Sequence, residues 1–312
     1  MKFGDKRYYS LNHYFRQMFG EKVIKISLDA GLTCPNRDGT LSYDGCIFCG
    51  AGASDHAFSG KSITNQFENY RETVRKKWPS AKYIAYFQAY SNTYGETSFL
   101  RDLYYEALTL PDVVGISIAT RPDCLGFEVL ELLHEVSQKT KLFVELGFQS
   151  SKHETIKLIN RCYENEVFCE AVRNLKKVGA NVVSHIILGL PYETEKDMLN
   201  SVKFAVDSGV DGVKLHELFV VQNTRLAQMY DAGLFSTLSP EKYIDIVIKA
   251  LEILPSDIVI HRLTGDAPKE LLIAPKHNIP KRILLNTIDS QLAKSGTFQS
   301  KSFYVKNSRE ER

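Results

Sequence analysis

The feature that most constrains this chain is a regular alternation. Short segments rich in β-branched and aromatic residues are separated by longer ones with apolar residues at helical spacing. Val23–Leu28, Tyr83–Phe87, Val113–Ala119, Leu142–Leu146, Val182–Leu188 and Val213–Val221 read as strands, each followed by a loop. Ile63–Trp78, Phe99–Leu110, Phe127–Gln138, Glu166–Val178 and Glu193–Asp207 read as helices. Pro79 and Pro111 stop the first two, and Gly179 and Gly209 stand where helix caps are expected. Strands joined by helical crossovers pair in parallel through right-handed connections. The predicted fold class is therefore α/β, with six strand–helix units curled into a partial (β/α)6 barrel akin to the eight-unit TIM barrel. In such barrels ligands sit at the C-terminal ends of the strands. Residues 23–254 form this core in the reading, after a basic segment, 1–22. A C-terminal extension, 255–301, carries one more strand (Ile258–His261) and a helix (Pro280–Lys294) and packs on the barrel; 302–312 read as a flexible tail.

At 312 residues, 44% of them apolar, the chain can bury a sizeable core. No apolar run approaches the ~20 residues that span a bilayer. Met1–Ser10 lacks a signal-peptide core, so a cytoplasmic location without membrane contact is expected. The net charge is only +2, but it is unevenly spread. Residues 1–25 hold six Lys/Arg against two acids, and 269–312 hold nine against four. Basic ends of this kind suit an anionic polymer; solvated termini explain them equally well.

The cysteines are unevenly spread too. Cys34, Cys46 and Cys49 cluster in a C-x11-C-x2-C arrangement just after the first strand, while Cys124, Cys162 and Cys169 are scattered. In a reducing compartment a cluster reads as metal ligation before disulfides. Three thiolates leave one iron of a [4Fe–4S] cubane open, whereas fully protein-bound clusters take four. An open iron suits catalysis. A structural zinc site needs a fourth ligand, which Cys124 or His56 would supply. Ordinary thiols are the third reading.

The cysteine segment resembles the signature of the radical S-adenosylmethionine (SAM) superfamily, lengthened from its commoner C-x3-C-x2-C form. The blocks KVIKISLDAGLTCPNRDG, GCIFCG, ATRPDCL, VELGFQS, HIILGLPYET, KLHELFVV and HRLTGDAP resemble the YhcC/YtqA-type family, distantly related to the Elongator catalytic subunit. The resemblance implies a [4Fe–4S] cluster on Cys34, Cys46 and Cys49 whose open iron chelates SAM. Reduction by a donor such as flavodoxin or ferredoxin then releases methionine and a 5′-deoxyadenosyl radical. It also implies SAM contacts. Phe48 resembles the aromatic packed near the adenine, Gln88 and Ser91 the residues at the SAM amino group, and Gly189 a position of close backbone approach to the adenine. A loop-packing aromatic, a polar turn and a tight turn are their plain alternatives.

Other candidates come from strand geometry. Glu145, between Val144 and Leu146, faces the interior, and a buried carboxylate needs a partner. A ribose or an ammonium serves, as does a structural salt bridge; Gln149 lies at the same strand end. Lys214 and His216 share one face of the sixth strand and point inward. There Lys214 is positioned for the SAM carboxylate and His216 for substrate. His261, Arg262, Thr264 and Asp266 follow a strand and form a candidate substrate rim. Cys124 is a candidate hydrogen-atom relay or a small buried residue; Cys162 and Cys169 carry no signal.

Three functions are compatible with these residues. The resemblance implies a radical SAM enzyme on tRNA, processing wobble uridine from the 5-carboxymethylaminomethyl to the 5-aminomethyl form. A radical SAM enzyme acting on a small molecule or a protein is the second. A non-catalytic, zinc-stabilised RNA-binding protein is the third.

Overall fold

A computed structural model describes residues 2–50, 62–267, 269–276 and 279–302. His56 and the segment 303–312 lie outside the described residues. The first half of the chain runs α1 (Leu11–Phe19), β1 (Val23–Leu28), α2 (Ile63–Arg75), β2 (Lys82–Phe87), α3 (Thr97–Thr109), β3 (Val113–Thr120), α4 (Phe127–Lys139), β4 (Lys141–Gln149) and α5 (His153–Leu158). It continues with α6 (Asn165–Lys177), β5 (Asn181–Leu188), α7 (Glu195–Asp207), β6 (Gly212–Glu217), β7 (Val220–Val221) and α8 (Arg225–Asp231). Last come α9 (Pro240–Ile253), β8 (Val259–Arg262), β9 (Leu272–Ala274) and α10 (Lys281–Lys294).

Seven strands form one parallel sheet in the order β1-β2-β3-β4-β5-β6-β8, each beside its predecessor. That order, with helices on the outer face, curls the sheet into a partial barrel. Ile26, Ala85, Ile118, Val144, Leu188 and Leu215 face outward into the main core, built against the helices. The helix ends follow their sequence signals: Thr194 and Asp197 form a capping box on α7. Gly179 and Gly209 take positive φ just past α6 and α7. The segment predicted as one strand, Val213–Val221, is two. Leu215 belongs to the main core, whereas Leu218 and Val220 turn into a smaller one where β7 pairs antiparallel with β9. Both halves are apolar because both are buried, so the hydrophobic run conceals the break. The extension contributes β8 directly to the sheet edge beside β6.

The inward face is layered. Near the N-terminal ends of the strands Val23, Ile84, Phe143 and Val183 form an apolar floor. Helix α1 closes it from below, with Phe15 edge-on to Phe143 at 5.8 Å. Ser10 and Gly20 cap this helix, which the strand–helix reading did not assign. Phe15 is 2% exposed. Phe15→Ala should therefore cost about 3–5 kcal/mol, measured by urea unfolding. A loss below about 1 kcal/mol would show that α1 does not close the barrel.

Candidate active site

The three cysteines lie on the loop between β1 and α2, at the C-terminal edge of the sheet. Their loop is clamped on both sides. Ile47 donates its backbone N–H to Ile159 O at 3.1 Å and accepts from Leu226 N at 2.9 Å. Its side chain is buried with Ile159, Leu190, Leu218 and Leu226, and Phe48 packs against this group. Asn36 Nδ2 reaches Cys46 Sγ at 3.5 Å and Asn160 O at 2.6 Å. Asn160 in turn donates to Gly45 O at 2.8 Å. Arg37 donates to Cys49 O at 3.1 Å. Burial pushes the Cys46 thiol up to about 12, aided by Cys49 and opposed by Arg121 and Asn36. Burial likewise raises Cys49, opposed by Arg37.

Beside this loop stand two buried guanidiniums that the sequence reading did not single out. Arg121 pairs with Asp123 at 2.6 Å and donates to Arg161 O at 2.9 Å. Arg161 is fully buried and donates to Phe148 O, Ser150 O, Tyr163 O and Asn165 Oδ1 at 2.7–3.0 Å. Its guanidinium lies 4.2 Å from the Tyr163 ring centroid.

Above the apolar floor the lumen turns polar. Glu145, 0% exposed, is its hub. Lys25 and Lys214 form close ion pairs with it. Ser117 donates to it at 2.8 Å and Tyr86 at 2.9 Å, and His185 Nε2 stands 2.8 Å away. Despite burial, these cations hold the Glu145 carboxyl well below the usual carboxylate range, Lys214 contributing most and Lys25 next. Burial lowers Lys214 to about 8, with Glu145 opposing. Two ammoniums thus face one carboxylate. The His216 ring is 5.3 Å from that of His185. Burial pushes His216 and His261 far below the ordinary histidine value, so both rings are neutral. His216 Nε2 and His261 Nδ1 are buried without a hydrogen-bond partner.

The remaining candidates fall at different depths. Gln88 donates to Ser27 Oγ at 2.8 Å, and buried Ser91 lies by Cys124. Gln149 has positive φ (63°) and folds back over Gly147. Gly189 needs its residue type twice: φ is +97°, and a Cβ would meet Leu238 at 3.1 Å. His261 lies inside β8, as in the predicted strand, and Arg262 joins it because that strand runs one residue further than predicted. His261 stacks edge-on against Phe143 at 5.9 Å and covers Gly212, so it sits low in the lumen. Arg262 pairs with Asp266 at 3.5 Å. Cys124 is buried with its thiol raised to about 12, chiefly by burial. Cys162, set aside in the sequence, donates to Asn36 Oδ1 at 3.1 Å and so adjoins the cysteine loop; Cys169 lies on α6 near Ser208.

Residues 33–205 match the family model of the radical SAM superfamily, and 210–294 that of the radical SAM C-terminal domain. The chain belongs to the radical SAM superfamily. It is 42% identical over 302 residues to YtqA of Bacillus subtilis, covering 96% of this chain and 94% of that protein. With YhcC of Escherichia coli K12 it shares 35% over 259 residues, covering 82% and 83%. Elongator complex protein 3 of Bos taurus is 25% identical; the match covers 79% of this chain and about half, 53%, of that longer protein. The solved archaeal Elp3 of Methanocaldococcus infernus shares the fold, with a TM-score of 0.68 at 20% identity over 89% of this chain and 64% of that one.

Radical SAM proteins use a [4Fe–4S] cluster and SAM, and the donor set here fits a cluster. Three buried or half-buried thiols share one pinned loop, each within electrostatic reach of another. Burial favours the protonated thiols of Cys46 and Cys49; iron ligation would supply the positive charge that their thiolates lack. Among the described residues no three His, Cys, Asp or Glu side chains converge as a single metal ion requires. In a cubane each cysteine takes a separate iron. Also among the described residues, no helix is long and apolar enough to cross a membrane.

The hub of this radical SAM lumen can be tested by stability. Glu145→Ala leaves buried Lys214 and half-buried Lys25 without their carboxylate and should cost about 3–5 kcal/mol at neutral pH. Lys214, already lowered, falls further without its partner. Between that lower value and about 8 the folded variant binds fewer protons than the folded wild type, so its deficit should shrink as pH rises through that window and level off above it. Urea unfolding at neutral and alkaline pH measures this; a deficit independent of pH would contradict the ionic account.

Proposed function

We propose that the protein is a radical SAM enzyme that converts 5-carboxymethylaminomethyluridine to 5-aminomethyluridine at the wobble position of tRNA. The observation that carries this reading is a lumen with more ammonium than carboxylate, opening at the strand ends that hold the three cysteines. Such a lumen suits a substrate bearing a carboxylate, and the resemblance to the YhcC/YtqA type supports a tRNA nucleoside. Family membership favours a cluster over zinc. In this reading Cys34, Cys46 and Cys49 hold the [4Fe–4S] cluster, and a donor such as flavodoxin or ferredoxin reduces it. When bound, cluster and SAM supply a carbon radical able to take a hydrogen atom.

The chain's own residues then divide the work. Phe48, Gln88, Ser91, Gln149 and Gly189 line the SAM side at the strand ends. Lys214, held by Glu145, and Arg262 attract the substrate carboxylate. The methylene between amine and carboxylate is the natural hydrogen donor, since both neighbours stabilise a radical there; loss of one further electron to an external one-electron acceptor gives an imine, and addition of water releases the amine and glyoxylate. Neutral His216 offers its free Nε2 as a hydrogen-bond acceptor for the substrate amine, and His261 offers its free Nδ1 lower in the lumen.

The basic chain ends come together in the fold. Tyr9 N donates to Gln299 Oε1 at 2.8 Å, Gln299 N donates to Arg7 O at 2.9 Å, and Lys6 pairs with Asp289. Lys281 pairs with Asp266 just past β8, which puts the start of α10 at the cysteine end of the barrel. Lys294 lies at the other end of that helix, about 20 Å away. Arg282 should therefore contribute more than Lys294 to RNA seated over the strand ends, in affinity and in salt dependence.

The decisive experiment incubates anaerobically reconstituted enzyme with dithionite, SAM and tRNA bearing the carboxymethylaminomethyl nucleoside. The expected products are 5′-deoxyadenosine and 5-aminomethyluridine, and Cys34→Ala, Cys46→Ala and Cys49→Ala should each lose the cluster. S-adenosylhomocysteine alone, or no conversion together with salt-independent RNA binding, would discard the reading. Because Lys214 loses its proton near pH 8, KM for the modified RNA should rise above that pH in the wild type. Lys214→Arg keeps its charge and should flatten that rise; an identical pH profile would remove Lys214 from substrate binding.

A further inference from the structure

The large hydrophobic side chains left exposed are not evenly spread. Six of the nine among the described residues lie at the end of the barrel where the cysteine loop emerges. Leu41 and Tyr43 are on the cysteine loop itself, Tyr192 follows β5, and Phe99, Phe127 and Ile283 lie in the first turns of α3, α4 and α10. Met18 and Trp78, at the ends of α1 and α2, lie at the opposite end. Single exposed apolar residues need no explanation, but a collection around one opening does.

Tyr43 is the most exposed of them, at 81%. Its ring packs on one side against the backbone. It lies against Gly39, where an added Cβ would come within 2.3 Å of the ring, and Gly39 has φ +95°. The stretch around it is pinned through Leu41 N to Pro35 O at 2.8 Å and Thr40 Oγ1 to Tyr94 OH at 2.8 Å. The loop thus presents an aromatic face to solvent three residues before Cys46. Tyr192 is 60% exposed at a positive φ of 63°, with its carbonyl held by Lys152 at 3.0 Å. Exposed Arg225 adds a cation near Asp44, at 4.0 Å.

We infer that this end of the barrel is a docking face for an unpaired RNA loop, with Tyr43 and Tyr192 as stacking platforms for bases flanking the reacting nucleotide. Exposed aromatics beside a guanidinium are the chemistry that holds splayed bases, since every base has a π face. The inference rests on the RNA reading above but assigns residues outside the barrel lumen. It also accounts for the long spacing between Cys34 and Cys46: the eleven intervening residues carry the platform.

The test measures binding of an anticodon stem-loop labelled with 2-aminopurine beside the wobble position, together with a loop-free duplex of the same stem. Tyr43→Ala and Tyr192→Ala should each weaken stem-loop binding about tenfold and reduce quenching of the fluorophore. Tyr43→Phe, which keeps the ring, should bind like the wild type. Binding of the duplex should be unchanged, and iron content confirms that each variant folds. If the wild type binds the stem-loop but both alanine variants match it, the platform is wrong and the RNA reading survives. If the wild type binds no RNA, both fall. Self-association that the two alanine variants abolish would assign the face to a second copy of the chain and overturn the inference.

Discussion

A carboxylate with no exposed surface stands in the middle of the barrel, and the polar half of the molecule is arranged around it. Glu145 on β4 collects Lys25 from β1, Tyr86 from β2, Ser117 from β3, His185 from β5 and Lys214 from β6. Six consecutive strands are therefore tied at one depth by ionic and hydrogen bonds. Burying these charges is costly unless they are mutually satisfied. An apolar interior would stabilise the barrel at least as well, so this layer points to a use for charge. The layer also separates two functions along one axis. Below it Phe143 and Phe15 close the floor; above it the strand ends receive the cysteine loop.

That loop is held by a second, smaller core. Ile47, between two of the cysteines, is buried with residues from α5, the β5 loop and α8. Asn36 and Asn160 fasten the remainder. A loop that brings three thiols together would otherwise be disfavoured by burial and by repulsion between thiolates. Its geometry is set by apolar packing and amide hydrogen bonds, with Arg37 and Arg121 opposing the rise in thiol pKa.

Much of the sheet was legible in the sequence, because strand and helix periods differ and punctuation by Pro and Gly is unambiguous. The inward orientation of Glu145, Lys214 and His216 followed from two-residue alternation alone. Their partners did not. Lys25 and His185 lie in apolar runs on other strands, and nothing local marks them as meeting Glu145. Nothing local marks Arg161 for burial; only the fold packs it against Tyr163. The break between β6 and β7 was hidden because both sides are apolar for different cores. Arg262 joins β8 one residue past the predicted strand, since the end of a strand is the least certain part of a periodic reading. Cys162 illustrates the same limit, as its nearness to the cysteine loop is entirely tertiary.

The central claim is that three cysteines leave one iron free for SAM, and electron paramagnetic resonance tests it most directly. Protein reconstituted without oxygen should hold about four irons and, once reduced, give the signal of a one-electron-reduced [4Fe–4S] cluster. Adding SAM should change that signal, because its amino and carboxylate groups would bind the open iron. A signal unaffected by saturating SAM would mean that the protein itself closes the cluster, and zinc in place of iron would contradict the account outright.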